Sequence, residues 1–204
     1  MLQTQTVVPH LLELLKKIMN EELFQHYFLV GGTALSLQIG HRNSIDIDLF
    51  GNCDIKQDLF VDKLKSFGDV IVTQNTKSIL ITEINGIKVD FVNYKYPLIS
   101  DSLQIDNIRM LSAIDIAAMK LNAIAGRGSK KDFIDLFYLL EKFSLKQMID
   151  FYNKKYSDGS EFMILKSLSY FEDANDQINP KMLNKSFNWE TCKQKIIGEL
   201  IKIQ

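Results

Sequence analysis

The chain has 204 residues, 46% hydrophobic and 24% charged, with ten glycines and three prolines, a composition that fits one large globular domain or two small ones and excludes a low-complexity protein. Its formal net charge is −1 and the halves differ little, so neither nucleic acid nor a membrane surface would be held by bulk charge alone. Cys53 and Cys192 stand far apart outside any CxxC, which gives no sign of a disulfide framework or a zinc site.

The opening MLQTQTVVPHLLELLKK lacks the charged and apolar regions of a leader peptide. Nowhere do roughly 18 apolar residues run together, so no membrane association and a cytoplasmic location are expected. Pro9 suits a first helical turn, and Leu11, Leu12, Leu14, Leu15, Ile18, Met19, Leu23 and Phe24 keep helical spacing, predicting a helix over 9–25. FLV reads as a short buried strand running into Gly31-Gly32, then a helix over 33–39 that Gly40 can end. SIDIDLF is the next strand, and 56–67 is helical. Three β-rich runs follow, over 69–74, 78–84 and 87–94, the last two joined by the tight-turn pair Asn85-Gly86. From about 112 the period turns helical. Ser112 and Asp115 resemble a cap, and further helices are predicted over 130–143, 144–156, 159–172 and 188–203.

Chemistry concentrates in SIDIDLF. Asp46 and Asp48 lie two apart, so an extended strand turns both carboxylates to one face and Ile45, Ile47 and Leu49 to the other. Neighbouring carboxylates raise each other's pKa until one protonates or a cation binds. Such oxygen donors suit Mg²⁺ or Mn²⁺, completed by water and substrate phosphates. An edge strand with Asp outward would read the same, so the neighbours decide. Glycines at the strand-to-helix turn let backbone N–H groups approach a triphosphate, and Val89-Asp90-Phe91 supplies a third carboxylate on another strand. The ordered set hG[GS], a short helix, Dh[DE]h and then h[DE]h resembles the nucleotidyltransferase superfamily of the polymerase β type. Two blocks narrow it. GGTALSLQIGHRNSIDIDLF and AIDIAAMKLNAIAGRGSKKDFIDLFYLL are similar to the AbiEii/AbiGii toxin family, together covering about residues 28–140.

That resemblance implies an α+β fold, with an N-terminal nucleotidyltransferase-type mixed β-sheet and flanking helices over 1–108 and a C-terminal helical bundle over 109–204 packed against it. It implies a nucleotidyltransferase that uses Mg²⁺ or Mn²⁺ to move a nucleoside monophosphate from an NTP to an acceptor hydroxyl. Asp46, Asp48 and Asp90 would be the metal ligands and catalytic groups, with Asp90 beside the acceptor. Gly31, Gly32 and Thr33 would bind phosphate, and Arg42 could reach one. Lys120 would lie near the nucleotide. Asp132 and Asp135, three apart on a helix, would orient Lys120, Arg127 or Lys131 at the nucleotide site. A helix-surface lysine and a carboxylate stabilised by the helix dipole are the plainer readings of Lys120 and Asp132. The implied partners are the NTP, an RNA acceptor such as the tRNA 3′ end, and a cognate antitoxin that need not form a stable complex. A small-molecule, antibiotic-type nucleotidyltransferase and a noncatalytic nucleotide-binding module stay open; the first calls for an acidic acceptor pocket, an RNA acceptor for a basic path to Asp90.

Overall fold

The structure is a computed structural model that describes residues 1–203. Pro9 opens α1 (Pro9–Met19), whose Leu11, Leu14, Leu15, Ile18 and Met19 form the buried stripe. The helix stops at Asn20 instead of reaching 25. Glu22–Phe24 is a 3-10 turn, after which Phe24 and Tyr27 join Phe60 and Phe91 in a ring cluster with centroids 4.9–5.7 Å apart. Burying two aromatic rings outweighs one more turn of helix.

Among the described residues seven strands form one mixed sheet: β1 (Phe28–Leu29), β2 (Ile47–Gly51), β3 (Val70–Asn75), β4 (Ile79–Ile84), β5 (Ile87–Asn93), β6 (Leu103–Ile105) and β7 (Ile108–Met110), in the order β3-β4-β5-β2-β1-β7-β6. Between β1 and β2 runs α2 (Gly31–Ile39), closed by Gly40 at φ 72°, and α3 (Gln57–Lys65) precedes β3. β2 is antiparallel to β1 and parallel to β5. Asn85 and Gly86 take φ of 49° and 81°, the left-handed pair that a two-residue hairpin turn requires. Leu29, Ile47, Leu49, Leu80, Val89 and Phe91 are all fully buried on one face. Ile45, expected to join that face, is 69% exposed because β2 and its pleat begin only at Ile47.

The sequence pattern does not announce β6 and β7, since three residues are too few to show alternation. The available signal was the turn pair Asp106-Asn107, both at positive φ. Pairing of β7 with β1 and β6 ties this hairpin to the sheet. One unit of the chain is therefore Met1–Tyr96 with Ser102–Leu111, and the other takes Pro97–Asp101 and everything from Ser112 onward, where the sequence suggested a division after 108.

The second unit holds α4 (Ala113–Gly126), α5 (Lys130–Leu139), α6 (Leu145–Lys155), α7 (Glu161–Ser167), α8 (Glu172–Asn175) and α9 (Trp189–Ile201). Ser112 caps α4 by accepting from the Asp115 amide, and α6 opens with a reciprocal Ser144–Gln147 capping box. The single helix expected over 159–172 is instead α7 and α8. Between them the chain turns so that Phe171 packs on Phe133 and Trp189, with centroids 4.8 and 5.9 Å away. Asp115 and Lys155, each with a fully buried side chain, pair at 2.7 Å. Both also grip Pro97–Asp101: Lys155 donates to the Pro97 carbonyl, and Asp115 accepts from the amides of Ile99 and Ser100. Among the described residues no helix is long and apolar enough to cross a membrane.

Candidate active site

The glycine turn and the aspartates meet because β1 runs directly into α2 beside β2. The Val30 amide donates to the Asp48 carbonyl at 2.9 Å, and Gly31 then turns at φ 67°. A Cβ at Gly31 would stand 2.5 Å from Asp48 Oδ2, and one at Gly32 would collide with the Arg42 guanidinium. Only glycine allows the helix start to come this close to a carboxylate and a cation. Val30, the N-cap residue of α2, has no polar side chain with which to cap the helix, and a helix N-terminus favours an anion.

Arg42 is 3% exposed and donates to the Asn43 carbonyl, so its guanidinium packs under the glycine turn. Thr33 departs from its expected role. Its hydroxyl is buried and bonded to Ser44 Oγ and the Asp46 carbonyl, so it pins the loop ahead of β2 and is not available as a phosphate donor.

Asp46 is half-buried immediately before β2, and Asp48 follows within the strand. Parallel pairing of β2 with β5 sets Asp48 directly opposite Asp90. Two carboxylates thus stand side by side on one face of the sheet. Asp90 Oδ1 is buried and accepts no hydrogen bond, while Oδ2 is held by Lys88 Nζ at 2.5 Å. Sequence reasoning missed Lys88, although its place two residues before Asp90 on one strand was the signal for it. Burial alone would lower the Lys88 pKa, but the fields of Asp90, Asp48 and Asp46 raise it above the usual lysine value.

Among the described residues no three His, Cys, Asp or Glu side chains converge as a ready metal cage. The donor chemistry nevertheless fits a hard divalent cation. Asp48 and Asp90 are in register, Asp46 precedes them by one pleat, one buried carboxylate oxygen lacks a donor, and an ammonium already answers the negative field.

Lys120, Asp132 and Asp135 form a network within the second unit. Lys120 Nζ lies 2.9 Å from Asp132 Oδ1 and 2.5 Å from Asp135 Oδ2, with all three side chains buried. Arg127 grips Asp132 with two nitrogens at 2.9 and 3.2 Å, and the Ser129 hydroxyl adds a third donor. Burial by itself would raise the Asp132 pKa, but the charges of Lys120 and Arg127 and these hydrogen bonds hold it well below the usual carboxylate range. The spacing-based pairing of Asp132 and Asp135 with Lys120 is present, with all three side chains buried.

A profile of the family described as "Nucleotidyl transferase AbiEii toxin, Type IV TA system" matches this chain over residues 13–106 and 86–195. An uncharacterized protein of Aquifex aeolicus is 38% identical over 175 residues, spanning 81% of this chain and 84% of its own length. The fold is similar to that of MenT4, a nucleotidyltransferase toxin of Mycobacterium tuberculosis, at a TM-score of 0.62 and 13% identity over 96% of this chain and 83% of that one. JHP933 of Helicobacter pylori gives a TM-score of 0.59 at 17% identity, covering 95% of this chain and 88% of its own. The chain thus belongs to the AbiEii nucleotidyltransferase toxin family.

Proposed function

We propose that the protein moves a nucleoside monophosphate from an NTP to the hydroxyl of an RNA acceptor such as the tRNA 3′ end, with Mg²⁺ or Mn²⁺ as cofactor. It would act in the cytoplasm as the toxin of a toxin–antitoxin or abortive-infection pair, countered by a cognate antitoxin that need not bind it stably. The observation that carries this reading is the placement of Asp48 against Gly31 and opposite Asp90. Asp46, Asp48 and Asp90 would hold the cation, which when bound neutralises phosphate charge and lowers the acceptor hydroxyl's pKa.

The amides of Gly31 and Gly32 take the triphosphate, with Arg42 stiffening that turn from beneath. Thr33 keeps Asp46 at the mouth of β2. Asp90, opposite Asp48 on the neighbouring strand, takes up the acceptor's proton. The bond between acceptor oxygen and α-phosphorus forms as the α–β phosphoanhydride breaks, and pyrophosphate carries away the electron pair.

Label transfer tests the proposal. Wild type and Asp48→Asn are each given the four α-³²P NTPs singly with Mg²⁺, bacterial RNA and cell protein. Label on RNA that the substitution abolishes is expected. Label confined to protein, or none on any macromolecule despite NTP binding, would defeat the RNA assignment and leave the protein or small-molecule acceptor.

A further inference from the structure

We propose that the sheet face next to the carboxylates seats an unpaired nucleobase of the acceptor against Phe50, Tyr94 and Tyr96, an inference that rests on the transferase reading above. Strand pairing sets the face out in rows. Ile81, Asp90 and Asp48 make one row, and Ile79, Val92, Phe50 and Phe28 make the next, one pleat repeat or roughly 6.6 Å further along β2 and β5. All four residues of the second row are half-buried, while Leu29, Leu49, Leu80 and Phe91 on the opposite face are completely enclosed.

A half-open sheet face is ordinarily polar. Here it is apolar immediately beside three carboxylates, and an open apolar surface continuous with a reaction centre points to a ligand with an apolar face. Tyr94 prolongs the row. Its amide donates to the Gly51 carbonyl at 2.8 Å, and its ring centroid lies 5.0 Å from that of Phe50. Tyr96 follows at 5.3 Å from Tyr94 and is 37% exposed.

Which substrate uses the row follows from direction. β1 is antiparallel to β2, with Phe28 opposite Phe50 and Leu29 opposite Leu49, so Gly31 and the start of α2 emerge at the Asp48 end of β2. The triphosphate end of the site is therefore on one side of the carboxylate row and the aromatic row on the other. An in-line displacement brings the attacking oxygen in opposite the departing pyrophosphate. The acceptor accordingly approaches over Phe50 and Tyr94. Nucleobases stack on aromatic side chains irrespective of their sequence, which suits an unpaired RNA end. A cationic antibiotic would require carboxylates here, and none of Ile79, Val92, Phe50, Phe28, Tyr94 or Tyr96 carries charge.

The test is fluorescence anisotropy with a 5′-labelled, unstructured single-stranded RNA, set beside calorimetric titration with NTP and Mg²⁺. Tyr94→Ala is expected to weaken RNA binding about ten-fold, the loss associated with one stacked base, while NTP affinity is retained and reports an intact fold. Tyr94→Phe, which keeps the ring, restores RNA binding. RNA with an abasic 3′-terminal nucleotide binds wild type as weakly as intact RNA binds Tyr94→Ala, and the variant does not distinguish the two RNAs. Equal RNA affinity in wild type and Tyr94→Ala would overturn the inference, as would indifference of wild type to the abasic end. Loss of NTP affinity with unchanged RNA affinity would overturn it too, by assigning the row to the incoming nucleotide. Row-dependent RNA binding by a wild type that transfers no label would sustain this subsite and defeat only the catalytic reading.

Discussion

Lys88 is the residue whose role is most sharply defined by its surroundings. Its ammonium bonds Asp90 Oδ2 and lies within the fields of Asp48 and Asp46, so it answers the charge that a divalent cation would answer. Replacing it by methionine removes a competitor while leaving a similar stem. The side chain is 47% exposed, and solvent screening limits such a pair to roughly 1 kcal/mol or less. Lys88→Met should therefore tighten Mn²⁺ binding by about two- to five-fold, as read from free Mn²⁺ in electron paramagnetic resonance. Weaker Mn²⁺ binding in the variant would show Lys88 supporting the carboxylates instead of competing for them.

Between α4 and α5 the buried group of Lys120, Asp132 and Asp135 does the joining that an apolar seam does elsewhere. Lys120 projects from α4 to both aspartates of α5, and Arg127 and Ser129 supply the remaining donors to Asp132. Removing one partner of a buried pair leaves an uncompensated charge. Asp132→Asn should cost about 3 kcal/mol at neutral pH, measured from urea midpoints. The pH dependence has a definite sign. In the folded protein the Asp132 carboxyl titrates well below its unfolded value of about 3.9, so its stabilisation is complete above that value and is lost as pH falls toward the folded one. The gap between wild type and variant should hold from pH 7 to about 5 and narrow below about 4. A gap that widened in acid would contradict the pairing.

At the scale of the whole molecule, the chain leaves the first unit after Tyr96, returns at Ser102 and leaves again after Leu111. Asp115 and Lys155 assign the intervening Pro97–Asp101 to the helical unit. Lys155 binds the Pro97 carbonyl, and Asp115 receives the Ile99 and Ser100 amides. This pair is completely enclosed, so Lys155→Met should destabilise by about 3–5 kcal/mol and speed hydrogen exchange at Ile99 and Ser100. Unchanged exchange there would show that the segment holds its place without the pair.

Those features legible in the sequence are the ones whose cause is local. Gly31-Gly32, the two-residue spacing of Asp46 and Asp48, Asp90 between Val89 and Phe91, the Ser112 cap and the Asn85-Gly86 turn all follow from backbone sterics and side-chain period over a few residues. The C-terminal end of α1 and the break between α7 and α8 were hidden because distant rings, Phe60 and Phe91 in one case and Phe133 and Trp189 in the other, draw the chain out of its helical course. By itself, then, the sequence determined the spacing of the glycine pair and of Asp46, Asp48 and Asp90, and the turn and strands on or beside which they lie. Only the tertiary structure decided that Asp48 stands opposite Asp90, that Lys88 occupies their field, that Thr33 is a loop fastener, and that an aromatic row adjoins the carboxylates. Strand register and ring packing are set by hydrogen bonds and burial between segments far apart in the chain, and no window of neighbouring residues contains both partners.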